Sequence, residues 1–254
     1  MTKEIYITKR SGSKEKLDLD KMHFVVEEAC KGLTGVSASQ IEMNADLQFY
    51  DNMSSEEIQD ILIKSANDLI SLEAPNYQFA AARLLLYSLH KKVYGKYQHL
   101  TLSEVINANI ERGVYDANIL DNYNATDLKK MEGWIKHDRN EDFTYAGLRQ
   151  VVDKYLCQDR SNGDIFETPQ HMYMMIAATL FANYPTETRL TYVKKYYDAT
   201  SLFKINIPTP VMAGVRTPIR QFASCVLVDV DDTLSSIFSS NSAIGYYIAQ
   251  RAGI

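Results

Sequence analysis

Glycine, proline and cysteine are all scarce in this chain. Its 254 residues include 11 glycines, 6 prolines and 3 cysteines. So little glycine and proline excludes a collagen-like repeat and extensive disorder, because both need these residues in excess. Cys30, Cys157 and Cys225 lie far apart and form no CxxC pair. This spacing excludes a cysteine-rich zinc site, and it predicts a reducing, cytoplasmic setting rather than a disulfide scaffold.

Long apolar runs are missing as well. No uninterrupted stretch approaches the roughly 20 residues that a membrane-spanning helix needs, and Met1–Tyr6 contains no apolar core of a secretory signal. The net charge of −5 argues against a general nucleic-acid coat. We therefore expect neither a membrane nor DNA as a partner. With 46% hydrophobic and 23% charged residues, the composition is that of one large or two modest globular domains.

The first 95 residues have the pattern of a small mixed unit. Two short strands, Ile5–Thr8 and Glu15–Leu17, flank a turn at Ser11–Ser13. Apolar spacing, capping residues and a proline indicate the starts of four helices, near Leu19, Ser37, Ser54 and Pro75. The fourth helix should contain Pro75 in its first turn and end at Gly95. The sequence therefore predicts two or three strands that cap four helices.

Residues 96–200 are predicted to be mostly helical. A hairpin interrupts them around Asn162-Gly163, a pair that is a strong local signal for a tight turn between strands. Thr168-Pro169 begins another helix, and Pro185 separates it from the next one. This part is expected to form a helical domain.

The pattern changes after Phe203. Lys204–Ile207 and Phe222–Val230 are predicted strands, and the second has the nearly continuous apolar run of a strand in a buried parallel sheet. Asp231–Thr233 should cap a closing helix that continues to about Arg251. Two strands and a helix open an α/β sheet or barrel without completing it, so another polypeptide is expected to supply the remaining strands.

Three groups of motifs follow one another in an order that is typical of a known family. The first group consists of Thr8–Ser13, Glu15, Leu19–Lys21, Ala81–Leu84 and Lys91–Gly95. The second consists of Asn183–Pro185 and Glu187–Arg189. The third consists of Pro208–Pro210, Gly214–Pro218, Gln221–Leu227 and Gln250–Ile254. Together they resemble the large subunit of class I ribonucleotide reductases, and the resemblance covers essentially the whole chain.

The resemblance implies a mostly helical α+β fold in three parts. Residues 1–95 would form an ATP-cone, a regulatory module in which a small sheet caps a four-helix bundle. Residues 96–200 would form the helical domain, and residues 201–254 the opening strands and helix of a ten-stranded α/β barrel that is incomplete in this chain.

The resemblance also implies an activity and a set of partners. These enzymes reduce ribonucleoside diphosphates to deoxyribonucleotides, with a thiyl radical on one cysteine and two electrons from a separate cysteine pair. No cofactor is bound covalently; ATP, dATP and deoxynucleoside triphosphates act as effectors. The implied partners are the C-terminal part of the large subunit, a second large-subunit copy, a small subunit with a di-iron site and a tyrosyl radical, and thioredoxin or glutaredoxin.

Cys225 matches the first cysteine of the redox pair, whose second member is not in this chain. Taken alone, a cysteine on an apolar strand is more often a structural core residue. The match of the surrounding motif, Ser224–Leu227, favours the redox role instead. Four residues match positions that contact the substrate: Thr209, Ser224, Ala252 and Gly253. A simple turn would explain Pro208-Thr209-Pro210 equally well.

Two effector sites are implied by position. Asp232, Thr233 and Leu234 match the specificity site that reads bound deoxynucleotides, and they also suit a helix N-cap. In the ATP-cone, the residues that match the triphosphate site are Lys9, Arg10, Glu15, Lys21, Ser55 and Lys91. Several cations are needed there because the ligand carries several negative charges. Ser55 and Gln59 replace the threonine and histidine common at these positions, and Gln59 lacks an aromatic face.

The radical cysteine, the second redox cysteine and the mobile C-terminal cysteines of the family have no counterpart in this sequence. We therefore expect either a truncated chain or one half of a naturally divided subunit, and we favour the divided subunit. Two other functions stay open. One is a nucleotide-sensing regulator built on an ATP-cone without catalysis. Transcriptional repressors of this kind carry a zinc ribbon with paired CxxC motifs, and this sequence contains none. The other is a helical interaction module with no ligand.

Overall fold

The computed structural model describes residues 5–96, 98–250 and 252–254, and the fold is dominated by helices. The α-helices are α1 (Leu19–Cys30), α2 (Ala38–Asp46), α3 (Ser55–Asp68), α4 (Tyr77–Tyr94), α5 (Leu102–Glu111), α6 (Ile119–Asn122), α7 (Ala125–Trp134), α8 (Tyr145–Gln150), α9 (Pro169–Leu180), α10 (Thr186–Ser201), α11 (Thr209–Gly214) and α12 (Leu234–Ala249). A 3-10 turn spans His137–Asp142 and a π-helical turn spans Val151–Tyr155. The strands are β1 (Tyr6–Thr8), β2 (Lys14–Lys16), β3 (Gln158–Asp159) and β4 (Asp164–Ile165).

Contacts divide the chain into two compact units. The first unit comprises Met1–His99 and His137–Asp153, and the second comprises Leu100–Lys136 and Lys154–Ile254. The division into residues 1–95, 96–200 and 201–254 stays a prediction. In the described part of the chain, no helix combines the length and the apolar character that crossing a membrane requires.

The first unit is a small antiparallel sheet on a helical bundle, as the sequence predicted. β1 pairs with β2, and Thr8 also bridges to Ser54 at the start of α3. Ser54 forms the predicted capping box: its hydroxyl accepts from the Glu57 N–H at 3.1 Å, while the Glu57 carboxylate accepts from the Ser54 N–H at 2.6 Å. α4 packs against α1, α3 and α8, so its side chains form much of the core.

The predicted position of Pro75 inside α4 is wrong. α4 begins at Tyr77, and Pro75 lies in the preceding turn, where its carbonyl oxygen accepts from the Gln78 N–H at 3.2 Å. Its carbonyl therefore closes a turn ahead of the helix. The end of α4 is confirmed: Gly95 is the C-cap and adopts a φ of 68°, in the left-handed region that glycine tolerates best.

The second unit is built around α9. Residues Met172–Ala178 of this helix are all buried, and α10 packs along it. The predicted hairpin is confirmed: β3 pairs with β4 around Asn162-Gly163, and Gly163 has a φ of 82°. Pro169 occupies the first turn of α9, as predicted.

The two strands predicted after Phe203 are absent from the described residues. Lys204–Ile207 forms no strand, and Phe222–Val230 contains only an isolated parallel bridge between Cys225 and Gly253. Leu227 is 99% exposed, so the apolar run is not buried as predicted. A strand needs a neighbouring backbone to satisfy its N–H and C=O groups, and no described segment supplies a longer ladder here. The barrel itself stays a prediction.

Candidate functional site

A cavity of about 1080 Å³ opens in the first unit, between the β1–β2 turn, α1, the start of α3 and the last turns of α4. The six residues predicted for the ATP-cone effector site all line it: Lys9, Arg10, Glu15, Lys21, Ser55 and Lys91. Ligand cavities commonly measure about 300–1000 Å³, so this one can hold a nucleotide. The structure thus brings the six positions together, while their role in binding stays a prediction.

The β1–β2 turn places two of the cations at the cavity. The Lys9 N–H donates to the Ser13 carbonyl and the Gly12 N–H donates to the Lys9 carbonyl, both at 2.8 Å. Gly12 adopts a φ of 81°, which permits so tight a turn. These backbone hydrogen bonds therefore fix the positions of the Lys9 and Arg10 Cα atoms at the cavity.

Carboxylates orient two of the lysines. Lys9 Nζ lies 2.6 Å from Glu15 Oε2, and Lys21 Nζ lies 3.1 Å from Asp18 Oδ2. Hydrogen bonds from the Lys21 N–H and its side chain lower the pKa of the Asp18 carboxyl, and the bond to Asp18 raises the pKa of Lys21. Both groups of the Asp18–Lys21 pair are therefore charged at neutral pH, and Lys21 can add a positive charge to the rim of the cavity.

The start of α3 contributes a polar group and a helix terminus. Ser55 is the first residue of α3 and lines the cavity together with Gln59, one turn further on. The first N–H groups of a helix and its dipole both favour an anion. Gln59 Nε2 donates to the Leu84 carbonyl of α4 at 2.9 Å, so this amide is tied to the neighbouring helix.

The rest of the cavity wall is largely apolar. Its apolar part consists of Ile7, Leu17, Met22, Phe24, Val25, Ile58, Leu62 and Tyr87, and the carboxylates of Asp18, Asp20 and Glu28 also line it. A lining that combines cations with apolar side chains suits a ligand with a polyanionic end and a flat, partly apolar end. A nucleoside triphosphate has both.

A second cluster forms around Cys225. The Val226 N–H donates to the Gly253 carbonyl at 2.9 Å, and the Gly253 N–H donates to the Ser224 carbonyl at 3.2 Å. Three predicted substrate contacts, Ser224, Ala252 and Gly253, therefore lie next to Cys225, which is exposed. Thr209 is not part of this bridge. It begins α11, and its hydroxyl lies 3.4 Å from that of Tyr155.

Close backbone approach explains the glycine at position 253. A Cβ atom added to Gly253 would lie 2.6 Å from the Ser224 carbonyl oxygen, closer than such contacts allow. We expect Gly253→Ala to break the bridge and to remove the protection of the Val226 N–H from hydrogen exchange. Gly245→Ala is the matched control, because an added Cβ there meets no atom within 4 Å. Equal protection of Val226 in both variants would contradict this account.

The residues predicted for the specificity site lie at the start of α12. Thr233 is the N-cap, and its Oγ1 accepts from the Ser236 N–H at 3.1 Å. The capping role is thus confirmed. Asp232 and Leu234 are exposed beside it, with Leu234 at 72%. The nucleotide-reading role of these residues stays a prediction.

Two clusters of side chains were not predicted from the sequence. One is a hydrogen-bonded network around Glu167 and Arg216, both 0% exposed. The other is a cluster of three histidines at the end of α4. The members of each group lie far apart along the chain, so no local pattern signals their contact.

Comparison with known proteins gives two domain matches. Residues 5–92 match the ATP cone domain, and residues 141–220 match the ribonucleotide reductase all-alpha domain. The chain thus combines a match to the ATP cone domain with a match to the all-alpha domain of ribonucleotide reductases.

Relatives extend this similarity over the whole chain. It is 48% identical over 254 residues to ribonucleoside-diphosphate reductase 1 subunit alpha of Escherichia coli strain K12. It is 47% identical over the same length to subunit alpha of Haemophilus influenzae, and 40% identical over 250 residues to that of Enterobacteria phage T4. The matches cover 98–100% of this chain and 33–34% of these three relatives. The chain is thus similar over its whole length to the N-terminal third of ribonucleoside-diphosphate reductase alpha subunits, and it spans about a third of their length.

Proposed function

We propose that the first unit is an effector domain that binds ATP and dATP in the cavity between the β1–β2 turn, α1, α3 and α4. The observation that carries this proposal is the convergence of Lys9, Arg10, Lys21 and Lys91 on one cavity beside an apolar wall. Cations match the triphosphate, the start of α3 adds N–H groups, and the apolar side receives the base and sugar.

Two lysines near the two ends of α1 allow a matched test of this site. Lys21 and Lys31 are 74% and 73% exposed, and each pairs with a carboxylate three residues earlier, Asp18 or Glu28. Lys21 lines the cavity and Lys31 does not. A charge-assisted hydrogen bond contributes about 1.5–3 kcal/mol, so we expect Lys21→Ala to weaken ATP binding roughly tenfold to a hundredfold.

Calorimetric titration of the folded chain with ATP and with dATP measures this effect. Lys31→Ala is expected to bind both nucleotides like the unchanged chain. Equal losses in the two variants would indicate only a general effect of net charge, and absence of heat with the unchanged chain would contradict the proposal.

We further propose that the chain acts as the N-terminal third of a reductase that converts ribonucleoside diphosphates to deoxyribonucleoside diphosphates. Activity would require the remaining C-terminal part of the large subunit, a second large-subunit copy and a radical-carrying small subunit with a di-iron site. Thioredoxin or glutaredoxin would then reduce the enzyme's disulfide again. The similarity to these alpha subunits supports this proposal, because the chain matches them over its whole length and they are about three times as long.

Exposed apolar side chains near the end of the chain agree with a missing neighbour. In α12, Phe238, Tyr246 and Ile248 are 65%, 77% and 59% exposed, and Leu227 is 99% exposed. Exposed apolar groups of this size mark surfaces that another element covers. We infer that the remaining barrel strands and helices would pack here.

Cys225 would supply one of the two reducing thiols of the reaction. Two cysteine thiols would give up two electrons and two protons as they join in a disulfide, while the ribose loses its 2′-hydroxyl as water. The partner thiol must come from the remainder of the large subunit. Ser224, Ala252 and Gly253 would contact the substrate beside Cys225, and Thr209 would bind its diphosphate. The start of α12, at Asp232, Thr233 and Leu234, would read a deoxynucleoside triphosphate.

A further inference from the structure

Three histidine rings meet at the C-terminal end of α4 in the first unit. The ring centroids of His90 and His99 are 4.7 Å apart, with the rings edge to face. His99 stacks on His137 with a centroid separation of 3.6 Å and an angle of 4° between the rings. The Tyr94 ring lies against His90 and His99, at 5.8 Å and 5.9 Å.

The cluster joins the two chain segments that build the first unit. His99 is the last residue of the first segment, and His137 is the first residue of the second, which ends at Asp153. His90 belongs to α4, against which the 3-10 turn and α8 of the second segment pack. The stacked rings thus hold the start of the returning segment beside the end of α4.

The surroundings of this cluster favour uncharged histidine rings. His90 is 7% exposed, and among the described residues neither His90 Nε2 nor His99 Nδ1 has a hydrogen-bond partner. Burial, with the neighbouring histidines, lowers the pKa of His90 to about 3 and that of His137 to about 4. Burial also lowers the pKa of His99. Protonation of any of the three therefore opposes the closed arrangement.

Charged and titratable groups near the cluster act on the pKa values of its rings in both directions. The charged group that favours a protonated His137 is Asp138, and the other two histidines oppose protonation of His90. On the surrounding elements, Arg83 of α4 pairs with Glu141 of the 3-10 turn at 3.5 Å, and Arg149 of α8 pairs with Asp153 at 3.0 Å. In the described residues, no group of three or more potential ligands is placed to hold a metal ion.

We propose that His90, His99 and His137 form a proton-operated latch, which holds residues 137–153 on α4 while the rings are neutral and releases them when the rings take up protons. The released segment would include the 3-10 turn and α8. The proposal concerns this chain's own fold and does not depend on nucleotide binding.

The direction of the pH effect follows from linkage. A histidine of the opened cluster titrates near its ordinary value of about 6.5, while the closed cluster resists protonation down to about pH 4 for His137 and about pH 3 for His90. The closed arrangement is therefore fully favoured above about pH 6.5. Below that, each histidine that takes up a proton raises the opening constant by up to about tenfold per pH unit.

Hydrogen exchange of the α8 amides, expressed as protection factors, tests the latch in the full chain. We expect protection of the Leu148 N–H, which donates to the Thr144 carbonyl, to fall at least about tenfold between about pH 7 and about pH 5.5. His90→Phe keeps a ring of similar size but takes up no proton, so it should make this dependence shallower by the contribution of one histidine. His99→Phe serves the same purpose if the first variant does not fold.

His23→Phe is the matched control. His23 is an exposed histidine of α1 whose pKa is raised by its bond to Glu42, so it lies outside the cluster and shifts in the opposite direction. This variant should retain the pH dependence of α8 protection. A flat profile in the unchanged chain, or the same steep profile in the phenylalanine variants of His90 and His99, would overturn the proposal.

Discussion

Replacing Arg216 by methionine is expected to lower the free energy of unfolding of the second unit by about 3–5 kcal/mol, because the change leaves a buried carboxylate without its cation. Arg216 Nε donates to Glu167 Oε2 at 2.9 Å, and Nη2 donates to Glu167 Oε1. Both side chains are 0% exposed. Denaturant unfolding, followed by the circular dichroism of the helices, measures the loss.

Further hydrogen bonds to Glu167 and from Arg216 add to the expected loss of stability. The Cys157 N–H and the Tyr115 hydroxyl both donate to Glu167, at 2.6 Å and 2.5 Å. Burial and the negative charge of Glu167 raise the pKa of Tyr115 well above its usual range, so its hydroxyl keeps its proton. Arg216 also donates to the carbonyl oxygens of Met212 and Tyr155, at 2.6 Å and 2.8 Å. These two bonds tie the end of α11 to the segment before β3.

Arg220→Met is the matched control for this prediction. Arg220 also pairs with a carboxylate, that of Asp116, but its side chain is 58% exposed. Exposed ion pairs contribute about 0–1 kcal/mol. The double variant Glu167→Leu with Arg216→Met should recover part of the loss, since it removes the uncompensated charge. Similar losses for Arg216→Met and Arg220→Met would show that burial of the pair does not matter.

Replacing Cys225 by serine is expected to abolish turnover in the assembled reductase. Serine cannot form a disulfide, so the two electrons for the ribose would have no source. Cys225 is exposed in this chain and its backbone, not its thiol, forms the bridge to Gly253. The substitution should therefore leave the fold and ATP binding unchanged. The measurement is deoxynucleotide formation by the chain together with the rest of the large subunit and the small subunit.

Cys30→Ser gives the comparison. The Cys30 thiol is half-buried, and burial raises its pKa to about 11, so it forms little thiolate at neutral pH. Turnover should survive its replacement. Full turnover with serine at position 225 would end the redox assignment of Cys225 while leaving the cone proposal intact.

The first unit could be predicted well because its signals are local. The capping box at Ser54 and the left-handed Gly12 and Gly95 each fix their neighbours within a few residues. The residues lining the cavity could be assembled in advance only through the family resemblance, since each lysine alone has the character of a solvated surface residue. Their convergence depends on how the turn, α1, α3 and α4 pack.

The remaining features depend on partners distant in sequence. Phe222–Val230 has the composition of a buried strand, but composition cannot supply the neighbouring strand that would pair with it. The contact between Glu167 and Arg216, and the stacking of His99 on His137, likewise join residues that no local spacing relates. Such contacts follow from tertiary packing, which a single sequence does not reveal.

The proposed nucleoside triphosphate site in the cavity of the first unit is tested most directly by a titration of the isotope-labelled chain with ATP, followed by the NMR shifts of the backbone amides. We expect saturable shifts at the β1–β2 turn, the start of α1, Ser55 and the last turns of α4, and none along α9. Absence of saturable shifts around the cavity, or their concentration in the second unit, would contradict the proposal.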